Sequence, residues 1–360
     1  MLLNYHRFYL LYLVFCQMKI NILFFFFCIF SIGLISFSIQ SDPELIEFVV
    51  PKKWPKPVYN FAKNPVSEEG FQLGRKLFYD PILSRDSTIS CASCHLQYTG
   101  FTHVDHAVSH GIEGRKGTRN SPVLINLAWN STFHWDGGVN NLEVQGINPI
   151  KHPAEMDNTL EEVIHRLSIS ETYPALFKKA FGSTEINTST IMKALTQYTV
   201  SLVSSNSKYD QVQRKEKGIV FTDQEKRGLI LFQAHCASCH KEPLFTNSFF
   251  ASNGLKIDSL LNDVGRYSIT QQPKDSMQFK IPTLRNIEFT FPYMHDGRFR
   301  KLKDVINYYS EGINTKDRHL SSQLNKSMNF NEMQKKDLLA FLYTLTDKSF
   351  LYNKRFSFPK

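Results

Sequence analysis

The sequence predicts a mainly α protein made of two similar helical domains, each built around one copy of the same short motif. Three observations carry this. The pentapeptide Cys91-Ala92-Ser93-Cys94-His95 recurs unchanged as Cys236-Ala237-Ser238-Cys239-His240. Apolar residues fall at helical spacing in several stretches, and no stretch shows a strand's alternation. The surroundings of the pentapeptides also repeat. Gly74-Arg75-Lys76-Leu77-Phe78 before the first is echoed by Arg227-Gly228-Leu229-Ile230-Leu231-Phe232 before the second. Arg119-Asn120 with Trp135-Asp136-Gly137 is echoed by Arg285-Asn286 with His295-Asp296-Gly297. A chain of 360 residues has ample material for two buried cores.

Residues 1–38 read as an N-terminal extension and signal peptide. Met18-Lys19-Ile20-Asn21 precedes an apolar run from Ile22 to Phe37, and Ser36-Phe37-Ser38 offers small residues for cleavage after Ser38. An uncleaved membrane anchor is the rival, because the run is nearly long enough to span. Either way the body lies outside the cytoplasm, in the periplasm. Residues 39–64, rich in Pro and Lys, form an extended lead-in.

The first domain spans 65–212. Its first helix runs from Ser67 to Phe78 and stops before Pro81, and residues 91–117 read as loop. Leu160, Val163, Ile164 and Leu167 mark a helix behind Asn158 as N-cap, and Ile191, Leu195, Tyr198 and Leu202 mark another. The polar, charged stretch 206–218 marks the boundary. The second domain spans 213–350. Thr222 starts a helix that runs into the second pentapeptide, and 253–276 is a long loop. Asn331 and Gln334 form a capping box ahead of Leu338, Leu342 and Leu345. Residues 351–360 are a tail.

Composition narrows the function. The net charge of +9, or +7 without Arg7 and Lys19, gives a basic surface suited to acidic partners. No Lys/Arg run with interleaved aromatics occurs, so nucleic-acid binding is not expected. Aromatic residues make up 13% of the chain, 30 of them Phe, which suits apolar cofactor pockets. Of six cysteines, Cys16 and Cys28 lie in the N-terminal apolar region and the other four fill the pentapeptides, so none is left for a structural disulfide.

Cys-x-x-Cys-His is the attachment signature of c-type haem. Two thiols add across the porphyrin vinyl groups, and the adjacent imidazole reaches the iron from one face. The motif thus assigns Cys91, Cys94 and His95 to one haem and Cys236, Cys239 and His240 to another. Four cysteines could instead hold zinc, and a redox Cys-x-x-Cys pair is the other alternative. Neither explains the trailing histidine in both copies.

Further stretches carry a specific resemblance. Gly117-Thr118-Arg119-Asn120-Ser121-Pro122, Trp135-Asp136-Gly137, His152-Pro153-Ala154-Glu155-Met156, Pro282-Thr283-Leu284-Arg285-Asn286 and Pro292-Tyr293-Met294-His295-Asp296-Gly297 occur in that order. The chain resembles the bacterial dihaem cytochrome c peroxidase family, which includes the MauG proteins, over roughly residues 65–350. The resemblance implies two cytochrome c-like domains and reduction of hydrogen peroxide to water. It places the catalytic glutamate at Glu155, the distal glutamine at Gln145 and the inter-haem tryptophan at Trp135. It places a resting-state cap of the first haem at His110, with His103 and His106 as rivals. On the far side of the second haem the peroxidases carry methionine and the MauG proteins tyrosine. The matching position here is Tyr309, with Met294 and Met277 in other registers. The resemblance also implies a calcium ion held by Asn120, Thr290 and Pro292.

A carboxylate in an apolar haem pocket can move protons between the peroxide oxygens. The expected function is therefore a dihaem cytochrome c peroxidase fed by a small redox protein, a cytochrome c or a cupredoxin. MauG-like oxidation of a protein side chain is one alternative, which Tyr309 favours. A non-catalytic dihaem electron carrier is another, which Glu155 and Gln145 oppose. A homodimer stays open.

Overall fold

The computed structural model describes residues 12–14, 17–19 and 43–359. The signal segment, apart from those six residues, and with it Cys16 and Cys28, lies outside the described residues. Among the described residues no helix is long and apolar enough to cross a membrane. The main helices of residues 43–359 are α1 (Glu68–Tyr79), α2 (Leu160–Ile169), α3 (Tyr173–Phe181), α4 (Thr188–Val200), α5 (Lys208–Gln213), α6 (Asp223–His235), α7 (Leu302–Asn307) and α8 (Glu332–Tyr343).

Two helix crossings organise this unit, and a glycine sets each. Where α1 meets α4, a Cβ on Gly74 would lie 1.9 Å from the Ala194 carbonyl oxygen and 3.0 Å from the Tyr198 Cβ. Where α6 meets α8, a Cβ on Gly228 would lie 2.0 Å from the Asp337 carbonyl oxygen and 2.7 Å from the Phe341 Cβ. Only a residue without a Cβ permits this backbone approach. Gly74 and Gly228 each stand four residues before a buried phenylalanine, Phe78 and Phe232. The sequence repeat is thus a repeated helix crossing.

Each crossing carries its own core. Phe71, Leu77, Phe78, Val163, Phe177 and Tyr198 pack in the first, joined by Phe350, Leu351 and Phe356 from the chain's end. Tyr209, Phe232, Phe245, Ile306, Phe341 and Leu345 pack in the second. Within the polar stretch 206–218, α5 buries Tyr209 and Asp210. The lead-in packs on the first core: Ile46 N–H donates to Val66 O at 2.8 Å, and the Trp54 ring lies 4.9 Å from Trp129.

Local signals act as read at most helix starts. Ser67 Oγ accepts from Gly70 N–H at 3.0 Å, and Thr222 with Glu225 and Asn331 with Gln334 form capping boxes. At α2 the cap is Thr159, not Asn158. Thr159 Oγ1 accepts from Glu162 N–H at 3.1 Å, while the buried Asn158 amide donates to Leu83 O at 3.0 Å. A buried amide must find a partner, and that draws Asn158 inward. One small ladder was not expected: β1 (Phe250–Ala251) pairs antiparallel with β2 (Phe279–Lys280). Two-residue strands carry no readable alternation. The ladder clamps both ends of the long loop, which itself holds a short helix, Tyr267–Thr270.

Candidate active site

The first pentapeptide forms a single helical turn, Cys91–Cys94, in which Ser90 N–H donates to Ser93 Oγ at 3.0 Å. The turn brings both thiols to one side. His95 closes it, its N–H donating to Cys91 O at 3.0 Å. The ring Nδ1 lies 2.7 Å from Phe101 O. A carbonyl there fixes the proton on Nδ1 and leaves Nε2 as the ligand atom. Burial pushes His95 down to about 4 and the Cys91 and Cys94 thiols up to about 12 and about 11. The imidazole is therefore neutral near pH 7, as ligation needs.

Beside them a cavity is lined by Gln145, Glu155, Leu124, Leu142, Met192 and Leu195. Glu155 brings the carboxylate. Burial raises its pKa above the ordinary value, and His152, 4.0 Å away, pulls the other way. Desolvation disfavours the charged form, so this carboxyl is suited to holding and releasing a proton. Gln145, at the end of a short helix Leu142–Gln145, lines this cavity and the second one. His103, His106 and His110 do not line it. Their rings stand in a row, 5.2 Å and 4.0 Å between neighbours. The row runs alongside the pentapeptide, with the Cys94 thiol donating to His110 O at 3.4 Å.

The second pentapeptide follows α6, with Cys236 as its C-cap. His240 Nδ1 lies 3.2 Å from Phe245 O and 3.1 Å from Pro282 O, which again leaves Nε2 free to ligate. Burial pushes His240 down to about 4 and Cys236 up to about 12. The larger cavity here is lined by Cys236, Cys239, His240, Met294, Tyr309 and Phe330, among others. Tyr309 comes from a widened turn, Tyr308–Gly312, that continues α7 with π-helical bonding. Such turns rotate a side chain off the regular helical face. Burial pushes Tyr309 up to about 12, while a hydrogen bond from Asn253 pulls down. Met294, at φ +76°, shares the cavity; Met277 does not line it.

Trp135 lies on the same cavity, its indole N–H donating to Asn120 O at 2.8 Å. Asn120, Thr290 and Pro292 also line it. The Asn120 amide donates to Ala107 O at 3.0 Å, so its Oδ1 remains for a hard cation.

Sequence reasoning missed two polar residues on this cavity. His134 Nε2 is buried with no hydrogen-bonding partner among the described residues. Lys280 is half-buried, its ammonium donating to Thr132 O at 2.5 Å and its pKa pushed down to about 8 by desolvation. The place of His134 in the repeat, opposite Met294, was a usable signal; Lys280 left none. A c-type haem needs two thiols, a neutral imidazole, apolar walls and polar donors for its carboxylates. The unpartnered His134 nitrogen and Lys280 provide such donors, so the residues present fit the group.

Comparison with known proteins agrees. Residues 68–218 match the family model described as di-haem cytochrome c peroxidase. The chain is 36% identical to the methylamine utilization protein MauG of Methylorubrum extorquens, over 85% of this chain and 86% of that one. It is 34% identical to the cytochrome c551 peroxidase of Nitrosomonas europaea, over 79% and 82% of the two chains. Among solved structures, a MauG-like protein associated with microbial copper homeostasis superposes with a TM-score of 0.79 at 34% identity, covering 87% of this chain and 99% of that one. With its repeated Cys-x-x-Cys-His pentapeptide and this likeness along most of its length, the chain belongs to the di-haem cytochrome c peroxidase family, which implies two c-type haems.

Proposed function

We propose that this protein reduces hydrogen peroxide to water at the first haem site. Electrons enter through the second site from a small periplasmic redox protein, a cytochrome c or a cupredoxin. The balance is one peroxide, two protons and two electrons to two waters. The carrying observation is the carboxyl of Glu155, partly exposed, on the cavity that Cys91, Cys94 and His95 also line. The haem, when bound, supplies an iron that accepts and donates electrons. Glu155 takes the proton from one peroxide oxygen and returns it to the other, which becomes the leaving water. The Gln145 amide orients the peroxide by hydrogen bonding. Apolar side chains such as Leu142 and Leu195 exclude bulk water. Trp135 offers an aromatic path between the sites, and Asn120, Thr290 and Pro292 hold a calcium ion between the halves.

The likeness to a protein named cytochrome c551 peroxidase supports this reading. One observation favours a second: Tyr309 on the second cavity fits MauG-like oxidation of a protein side chain, for which the same Glu155 would serve. Steady-state peroxide turnover with reduced cytochrome c tests the first. In Glu155→Gln both haems should remain while turnover falls by roughly 10²–10⁴-fold. Wild-type turnover in the fully loaded variant would refute the assignment.

A further inference from the structure

We propose that Asn253 is the positioning residue that selects the far-side ligand of the second haem, favouring Tyr309 over Met294. This rests on the reading that the second haem occupies the cavity on which Tyr309 lies. The Asn253 Nδ2 stands 3.3 Å from the Tyr309 hydroxyl oxygen and 3.5 Å from the Met294 sulfur. Among the described residues the Tyr309 hydroxyl has no other hydrogen-bonding partner. One amide therefore touches both side chains that could reach the iron.

The orientation of the amide follows from its other partner. Asn253 Oδ1 accepts from Leu255 N–H at 3.3 Å. A flipped amide would face that N–H with its own donors and set its oxygen against the thioether. Sulfur in a thioether can only accept. The NH₂ must therefore face the phenol and the sulfur.

The backbone at Asn253 is held from three sides. It follows β1, which is paired with β2. Its carbonyl accepts from the Tyr308 hydroxyl at 2.9 Å. The preceding Ser252 carbonyl accepts from Ser321 N–H at 3.0 Å. Tyr308 also opens the widened turn that carries Tyr309, so donor and phenol are placed by the same contact.

Both hydrogen bonds act with the same sign. A bond donated to a phenolate is charge-assisted and roughly twice as strong as a neutral one, so it favours the anionic oxygen as ligand. A bond donated to the thioether occupies a lone pair that would otherwise reach the metal. Removing the donor weakens the tyrosine and frees the methionine together.

The test uses the full protein carrying both haems. Redox titration and electron paramagnetic resonance of the second haem are compared in wild type, Tyr309→Phe, Asn253→Ser and Asn253→Leu. Serine can still accept from Leu255 N–H, so it keeps the turn, while its shorter side chain takes away the amide NH₂ that faces the phenol and the sulfur. In both Asn253 variants the midpoint potential should rise and the ferric spectrum should move from oxygen toward thioether ligation. That thioether signature should vanish when Met294→Leu is added. If Tyr309→Phe departs from wild type but both Asn253 variants match it, the selection by Asn253 is wrong while the tyrosine reading stands. If Tyr309→Phe matches wild type at the second haem, the tyrosine reading fails and the selection falls with it. Loss of the second haem in both Asn253 variants would also overturn the proposal, by assigning the residue to the turn alone.

Discussion

Asp210→Asn should destabilise the protein more than any surface change, because it strands a charge that has no access to water. Arg285 is fully buried, and Asp210 is 4% exposed. Both guanidinium ends meet the carboxylate at 2.8 Å, and Nε and Nη2 also donate to Pro243 O at 2.9 and 2.6 Å. The cation lies over Trp54, 4.6 Å from the ring centroid. Asparagine keeps the shape but loses the charge, so the guanidinium stays buried without a counterion. Breaking such a pair from one side costs about 3–5 kcal/mol. For a chain of this size the unfolding midpoint should drop by roughly 4–8 °C. The pH dependence gives a second handle. Burial pushes Asp210 up, but the Arg285 bonds and charge, with Ser207, outweigh it and hold the group below its ordinary value. A carboxylate depressed in the folded state stabilises fully above its unfolded pKa, about 3.9. That contribution fades as pH falls through the lower folded value. The gap between wild type and Asp210→Asn should therefore be flat from about pH 5 to 8 and close below about pH 4. Circular dichroism melts of the haem-loaded proteins across that range measure it. A midpoint unchanged at pH 7, or a gap that widens toward acid, would refute the reasoning.

Two further outcomes follow from the same geometry. The loaded protein should exceed its polypeptide mass by two haem groups that resist acid-acetone extraction, and Cys236→Ser with Cys239→Ser should remove one covalent haem and spare the other; mass spectrometry reading zinc or no adduct would sink the assignment. Gly228→Ala should cost roughly 1–3 kcal/mol, because the added Cβ would sit 2.0 Å from a backbone oxygen that cannot swing aside; an unchanged denaturant midpoint would show that the α6–α8 crossing can open freely.

Helix starts were legible because their causes are local. Ser67, Thr222 and Asn331 each satisfy backbone donors within three residues. The two pentapeptides were legible because two thiols and an imidazole within five residues already point to one chemistry. Glu155 and Gln145 stand outside any local pattern, and resemblance alone pointed to them. Asn253 lies 56 residues from Tyr309. A two-residue ladder and one tyrosine hydroxyl bring them together, and neither leaves a mark in the sequence. His134 is the instructive case between these extremes. Phe133-His134-Trp135-Asp136-Gly137 and Tyr293-Met294-His295-Asp296-Gly297 adopt the same turn, with His134 at φ +65° and Met294 at φ +76°. Bridges Phe133–Val139 and Tyr293–Phe299 close the two turns alike. A left-handed backbone is uncommon for residues with a Cβ, so its recurrence at both places ties it to the repeat rather than to either side chain. With the backbone shared, the side chain there is free to differ: an imidazole whose Nε2 has no partner among the described residues in one half, a thioether beside Asn253 in the other.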